Sequence, residues 1–234
     1  MNEGKDILRE YFKKWPTFYF VVATIFGPVY TGRLSAGVFL KECFPKENKA
    51  IKVLNLGSGP KILRADIINV DIGDYKEVDV QADLAALPFE SNSVDGFVCD
   101  NVLEHVSDPY GAVSEMYRVL KPGSVGYVST PFLYPFHASP YDYSRWTAQG
   151  LRLLFKDFEI VEIGARSGFF STLTVWACYL IPTLFSFGSS KLYWILVNVS
   201  LFIFFPIKFL DIFANHLPFA SNTAAVLYCV VKKK

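Results

Sequence analysis

The chain is poor in the residues that bind metals or form cross-links. Its 234 residues include four cysteines, three histidines and two methionines. Cys43, Cys99, Cys178 and Cys229 stand singly in apolar surroundings. They lack the paired spacing of a disulfide framework or a zinc site, so free thiols in a reducing compartment are expected. No metal-ligating cluster is expected. An excess of one charge sign is also missing. The 23 basic and 22 acidic residues leave a net charge of +1, which argues against nucleic acid as a partner. No Gly-Lys-Ser/Thr occurs, which excludes a P-loop. The excess is apolar: 52% of residues are hydrophobic and 22 are Phe, more than a soluble core of this size absorbs.

The most informative stretch is Val-Leu-Asn-Leu-Gly-Ser-Gly-Pro at residues 53–60, followed by Asn-Val-Asp-Ile at 69–72. An apolar run that breaks into Gly57-Ser58-Gly59 reads as a buried strand ending in a tight turn. Glycine there lets backbone approach a ligand closely. A second apolar run ends in Asp71, placed to accept hydrogen bonds from ribose hydroxyls. Together they describe a nucleoside site. Only a short segment separates Gly59 from Asp71, and Pro60 and Lys61 follow the glycines. There is room for a helical turn or two, not for the full crossover helix of a dinucleotide site.

The segments that follow are Val-Asp-Val-Gln-Ala-Asp-Leu (78–84), Leu-Pro-Phe (87–89), the run from Ser93 to Val106, and Arg-Val-Leu-Lys-Pro-Gly (118–123). This ordered series resembles the class I S-adenosylmethionine-dependent methyltransferases. The resemblance is to the broad type 11 group that includes the ubiquinone and menaquinone methyltransferases, and it covers roughly residues 50–165. It implies a Rossmann-like α/β fold with a mostly parallel seven-stranded sheet and an antiparallel last strand. It also implies S-adenosyl-L-methionine as cosubstrate. Strands are expected at 51–56, 67–71, 78–82, 94–99, 124–129, 158–164 and 224–231, with helices at 108–120 and 147–156. The methyltransferase domain is expected to comprise 50–166 and 223–234.

The resemblance also implies site residues. Gly57, Ser58 and Gly59 would pack against the methionine part of the cosubstrate. Asn55 stands where the family usually has an acid, and would accept a hydrogen bond from the ammonium without charge. Asp71, with Ile72 after it, would hold the ribose; Asp83 and Leu84 would flank the adenine. Asp100 and Asn101 would meet the transferable methyl group. Glu104-His105 follows, with His105 either a base or an orienting group for the loop around the methionine moiety.

Residues 131–147 carry the clue to the acceptor. This proline-stiffened stretch leaves the fifth strand and collects His137, Asp142, Tyr143, Arg145 and Trp146. Methyl transfer to a hydroxyl needs alignment and removal of a proton. His137 is the candidate base and Asp142 its orienting partner. Tyr143, Arg145 and Trp146 are candidate acceptor-binding groups, Arg145 as a clamp for an anion. Asp142 and Arg145 could instead pair with each other and hold the loop. The pattern His-x-x-Pro-x-Asp-Tyr-x-Arg-Trp-Thr is similar to enzymes of surface-glycan biosynthesis.

The remaining segments are apolar. Residues 3–15 place Ile7, Leu8, Tyr11, Phe12 and Trp15 at helical spacing with basic residues on other faces. This reads as an amphipathic helix that lies on a membrane or packs on the domain. Residues 17–31 carry no charge. No clear small-residue cleavage site follows, so residues 1–49 are expected as a membrane-facing or substrate-covering helical segment rather than a signal peptide. Residues 169–187 and 192–207 are also free of charge. As helices they reach about 28 Å and about 24 Å, against a hydrocarbon core of about 30 Å. Residues 167–222 are therefore expected to form an apolar helical hairpin. Because the flanking strands share one sheet, the hairpin crosses a membrane twice or not at all. Lys191 at its tip opposes a full crossing. A shallow or re-entrant hairpin at the cytoplasmic side of a membrane is the expectation, with a soluble cap or dimer interface as the alternative.

The sequence thus reads as a membrane-associated O-methyltransferase for a lipid-linked or amphiphilic acceptor, such as a polyprenyl-linked sugar. A quinone or other lipid is the second acceptor. A non-catalytic cosubstrate-binding module tethered to a membrane is the alternative from another class.

Overall fold

The computed structural model describes residues 25–30, 32, 34–45, 50–138 and 140–234. The expected amphipathic helix at 3–15, and most of the uncharged run at 17–31, lie outside these residues. The chain divides into two units, a sheet unit (33–132, 136–166 and 226–234) and a helical unit (1–32, 133–135 and 167–225).

The sheet unit holds seven strands in the order β3-β2-β1-β4-β5-β7-β6. They are β1 Val53–Leu56, β2 Ile68–Asp71, β3 Val80–Gln81, β4 Val94–Asp100, β5 Leu120–Pro131, β6 Glu159–Ser167 and β7 Val226–Lys232. β1 pairs in parallel with β2 and β4, β2 with β3, and β4 with β5. β7 runs antiparallel to β5, with Tyr127 opposite Val230. This is the α/β sheet expected from the sequence. β1, β4 and β7 are buried along nearly their whole length, as strands covered on both faces must be. β5 starts four residues earlier than predicted. The pairing jumps from Val94–Leu120 to Gly96–Val125, and this irregularity absorbs Lys121-Pro122-Gly123. Between β1 and β2 there are only turns.

Three helices accompany the sheet among the described residues: α1 Ala36–Cys43, α2 Pro109–Val119 and α3 Ala148–Leu154. Each begins where a side chain satisfies a free backbone N–H. Ser35 accepts from Val38 N at 3.3 Å, Asp108 from Gly111 N at 2.9 Å, and Thr147 from Gly150 N at 3.1 Å. Pro109 takes the first turn of α2, where its missing donor costs nothing. The far end of α1 is closed by Arg64, which donates to Leu40 O and Phe44 O. Phe39 on α1 is buried against the Tyr127 ring, with centroids 5.6 Å apart.

The helical unit contains α4 Phe169–Phe185, α5 Ser190–Phe204, a 3-10 turn Phe205–Leu210 and the short α6 Asp211–Ala214. α4 and α5 pack against each other as the predicted hairpin, reversing at Phe187 and Gly188, both with positive φ. The second arm is longer than predicted. Helical structure continues unbroken through 190–214, 25 residues that include an 18-residue window of mean hydropathy 2.0. Lys208 and Asp211 do not interrupt it because both turn inward and are fully buried. Lys208 Nζ donates to Gly27 O at 2.6 Å. Asp211 closes the open start of α4, where the N-cap Gly168 has no side chain to do so. Its carboxylate accepts from the backbone N–H of Gly168, Phe170 and Ser171 at 2.9–3.0 Å. Position 168 must be glycine, because a Cβ there would lie 1.9 Å from Asn215 Oδ1.

Candidate active site

The turn after β1 is built from left-handed backbone. Gly57 and Gly59 have φ of +67° and +52°, and a Cβ on Gly57 would lie 2.3 Å from Val102 Cγ1. Glycine is required there on both counts. The backbone N–H groups of Gly57 and Ser58 donate to Val70 O at 2.8 and 3.1 Å, tying the turn to β2. Asp71, at the end of β2, accepts from Gly59 N at 2.8 Å and Gly73 N at 2.7 Å. The acid therefore shapes the glycine turn, and its four lone-pair sites leave capacity for hydroxyl donors. Ile72 beside it is exposed. Asn55 is buried, and its amide donates to Asn69 Oδ1 and Lys61 O, bracing the same turn from behind.

Asp83 accepts from Ala85 N at 2.9 Å, and Leu84 is buried beneath that turn. The loop beyond is held by a pair that sequence reasoning did not single out. Arg118 donates to Leu87 O and Phe89 O and to Glu115, which in turn accepts from Leu87 N. The Glu-x-x-Arg spacing on one helix face was its legible signal.

At the carboxyl end of β4, Arg166 on β6 forks onto Asp100 with two guanidinium nitrogens and also reaches Ser129 Oγ at 3.0 Å. Ser129 Oγ donates to Asp100 at 2.6 Å. Arg166 and Ser129 were not predicted. Asn101 follows with φ +55° and donates its N–H to Ser129 O. Its side-chain Oδ1 is buried with no hydrogen-bond partner. An orphaned buried acceptor is costly. Asn101 immediately precedes the Val102 that abuts Gly57, so this acceptor fits a donor such as an ammonium group bound at the glycine turn.

The acceptor loop meets the turn after β4. Tyr143 N donates to Glu104 O at 2.7 Å, and the His105 Nδ1 pairs with Tyr141 O. His137 and His105 stand edge to face with ring centroids 5.1 Å apart. The Nε2 of each lies 3.7 Å from Oε1 of Glu104, whose side chain is fully buried. The other nitrogen of His137 lies 3.5 Å from Asp142 Oδ2, and the His137 backbone N–H donates to the same carboxylate. Asp142 and Arg145 pair with each other through two guanidinium nitrogens, the second reading held open from sequence. That guanidinium holds the Asp142 carboxyl down at about 2, below the usual carboxylate range. Tyr143 is exposed and Trp146 half-buried at the start of α3.

The structure thus places His105 beside His137 and Asp142, which the sequence had paired, with Glu104 beneath them. Glu104, His105 and His137 present three ligand-type atoms within 4.8 Å of one another. No spacing rule revealed this grouping, because two ligands lie on the turn after β4 and the third on the loop after β5.

Comparisons with known proteins agree with this frame. Residues 56–128 match the family described as methyltransferase domain. A Mycolicibacterium smegmatis protein named a probable S-adenosylmethionine-dependent methyltransferase is 48% identical over 58 residues, 24% of this chain and 23% of its own. An uncharacterised chloroplast methyltransferase of Arabidopsis thaliana is 46% identical over 68 residues, 28% of this chain and 19% of its own. The matched region therefore spans about a quarter or less of these curated relatives. Among solved structures, phosphoethanolamine N-methyltransferase 2 of Haemonchus contortus, in complex with S-adenosyl-L-methionine, superposes with a TM-score of 0.53 at 16% identity. That similarity covers 96% of this chain and 59% of the other. The cyclase SpnF superposes with a TM-score of 0.52 at 15% identity over 84% of this chain and 79% of its own. One fold thus carries different reactions. The sheet unit has the fold of the class I methyltransferases, and its residues 56–128 match their domain family.

Proposed function

We propose that the chain is an S-adenosylmethionine-dependent methyltransferase that methylates an oxygen of a lipid-linked or amphiphilic acceptor at the cytoplasmic face of a membrane. The observation that carries the donor half is the left-handed Gly57-Ser58-Gly59 turn braced by Asp71 at the carboxyl ends of β1 and β2, where open α/β sheets bind ligands. Asp71 would take the ribose hydroxyls and Asn101 Oδ1 the ammonium. Ile72, Asp83 and Leu84 would border the adenine. The cosubstrate supplies an electrophilic methyl group on a sulfonium.

The chain's own residues then account for the acceptor. His137 takes the proton from the acceptor hydroxyl. Asp142 Oδ2 at 3.5 Å and the Arg145 guanidinium at 3.3 Å hold Nδ1 and orient the ring so that Nε2 faces Glu104. A proton gained there lies 3.7 Å from the buried Glu104 carboxylate, which stabilises the imidazolium. His105, Tyr143, Arg145 and Trp146 border the same loop. The acceptor class follows from the helical unit. Phe187, Phe202, Phe213 and Phe219 are among the large apolar side chains it exposes, while Lys208 and Asp211 are fully buried and Lys191 alone of the charges in 167–222 is exposed. Such a surface favours lipid over water. The segment 133–135, just before His137 in the chain, belongs to that unit. A polyprenyl-linked sugar is the first acceptor of this kind, and a quinone the second.

The test combines calorimetry with methyl transfer. Asp71→Ala is expected to weaken S-adenosylmethionine binding by about ten- to a hundredfold, the loss of hydrogen bonds to a charged acceptor. Labelled methyl groups are expected to pass to lipid extracts in the presence of the wild-type protein. Unchanged affinity in a folded Asp71→Ala variant sinks the donor site. Binding without any label in the organic phase sinks the acceptor class.

A further inference from the structure

We propose that Glu104, His105 and His137 form a binding site for a divalent first-row transition-metal ion. Charge points to it first. Three carboxylates, Asp100, Asp142 and Glu104, share this corner with two guanidiniums. Arg166 is forked onto Asp100 and Arg145 onto Asp142. Glu104 is left over: its side chain is fully buried and neither of its oxygens has a hydrogen-bond partner. Arg166 is near enough to feel its charge, but both of its terminal nitrogens are taken by Asp100 and Ser129, and only its Nε lacks a hydrogen-bond partner. A buried carboxylate without donors calls for a cation.

The histidines supply the rest of the coordination sphere. Each directs Nε2 to within 3.7 Å of Glu104 Oε1, and the three atoms lie within 4.8 Å of one another. Each has its far nitrogen occupied, His105 Nδ1 on Tyr141 O and His137 Nδ1 between Asp142 Oδ2 and the Arg145 guanidinium. A carbonyl or carboxylate behind the ring is the arrangement that orients a metal-binding imidazole and leaves its other nitrogen as the ligand. Two imidazoles and one carboxylate suit Zn²⁺, Fe²⁺, Co²⁺ or Mn²⁺ rather than Mg²⁺ or Ca²⁺. His137 keeps 30% of its side chain exposed, so the site opens on one side.

Binding of the ion is independent of the methyl-transfer reading; only its role rests on that reading. An acceptor hydroxyl that entered the open position would be acidified by the metal. His137 would then serve as ligand instead of proton acceptor, with the proton leaving to solvent.

Equilibrium dialysis of the full chain against Zn²⁺, followed by elemental analysis, and titration with Co²⁺ followed in the visible range, test the site. One equivalent of metal per chain and a ligand-field band from Co²⁺ are expected. Glu104→Gln and His105→Ala should each weaken binding by at least about 100-fold, the upper end of what loss of an outer-shell partner produces. His216→Ala, at the remaining histidine, should not. Wild-type protein that binds S-adenosylmethionine but no stoichiometric metal overturns the site and leaves the methyl-transfer reading standing. Metal binding that survives both ligand substitutions also overturns it. Metal bound by protein that does not bind S-adenosylmethionine supports the site and removes that reading instead.

Discussion

In the sheet unit, charged side chains gather where strands end: Asp71 closes β2, Asp100 closes β4, and Glu104, Asp142 and Arg145 lie on the turns beyond. In the helical unit, Lys208 and Asp211 are turned inward to close backbone groups, and the surface is left to apolar side chains. The same chemistry, a carboxylate accepting backbone N–H bonds, appears in both. Asp71 accepts two and remains partly accessible, while Asp211 accepts three and is fully buried. A carboxylate with spare lone pairs and access to solvent can bind a ligand. One buried among three backbone donors, out of reach of solvent, can only hold structure. The difference separates a region built to react from a region built to present a surface.

The largest effect that follows is on turnover. His137→Ala is expected to lower methyl transfer by about 10²–10⁴-fold, the usual contribution of a positioned general base. Cosubstrate affinity should stay the same, because the glycine turn and Asp71 are untouched. Single-turnover kinetics with parallel calorimetry checks both. If affinity falls together with the rate, His137 belongs to the donor site. If turnover stays within a few-fold of the parent, the ring is structural.

The helical unit should respond in the opposite sense. Asp211→Ala removes the acceptor for three backbone donors at the start of α4. Leaving such groups buried and unmatched should cost about 2–4 kcal/mol. The loss should appear as faster hydrogen exchange at the amides of Gly168, Phe170 and Ser171. Affinity for S-adenosylmethionine should remain within about twofold, since no donor-site residue lies in this unit. A large drop in that affinity would show that the two regions are not separable.

These contrasts explain what was legible in the sequence. The strands were readable because burial on both faces leaves an apolar run, unbroken over 226–231 in β7 and over Phe97-Val98-Cys99 in β4. The glycine turn and Asp71 were readable because their spacing is local. The helical hairpin was readable from its charge-free runs, but the length of its second arm was not. Lys208 and Asp211 look like helix-ending charges until Gly27 and the start of α4 are seen to take them up. The same limit hid Arg166, which lies 66 residues from Asp100 in the chain. It also hid the use of Glu104, whose role depends on a histidine from another loop. Periodicity records which face of an element is buried. It does not record which distant group meets a polar side chain there.

The smallest effect concerns Asp142, where the acceptor loop follows the logic of the helical unit: its carboxylate is fixed by Arg145 and by the His137 backbone N–H. Arg145 holds this carboxyl at about 2 in the folded protein, against about 3.9 in an unfolded chain. A depressed folded value stabilises the fold wherever the group is ionised in both states. That contribution is complete above about pH 4 and is lost as pH falls through about 2. The difference of nearly two pH units corresponds to at most about 2.6 kcal/mol. Denaturation of the wild-type protein and of Asp142→Asn, compared between about pH 6 and about pH 2, should show a stability gap that is constant at the upper end and narrows toward the lower. Arg145→Gln should shift that narrowing to higher pH, because the carboxylate then lacks its guanidinium. A gap that does not change with pH would mean that the ion pair does not stabilise the loop, and would return Arg145 to the role of an anion clamp.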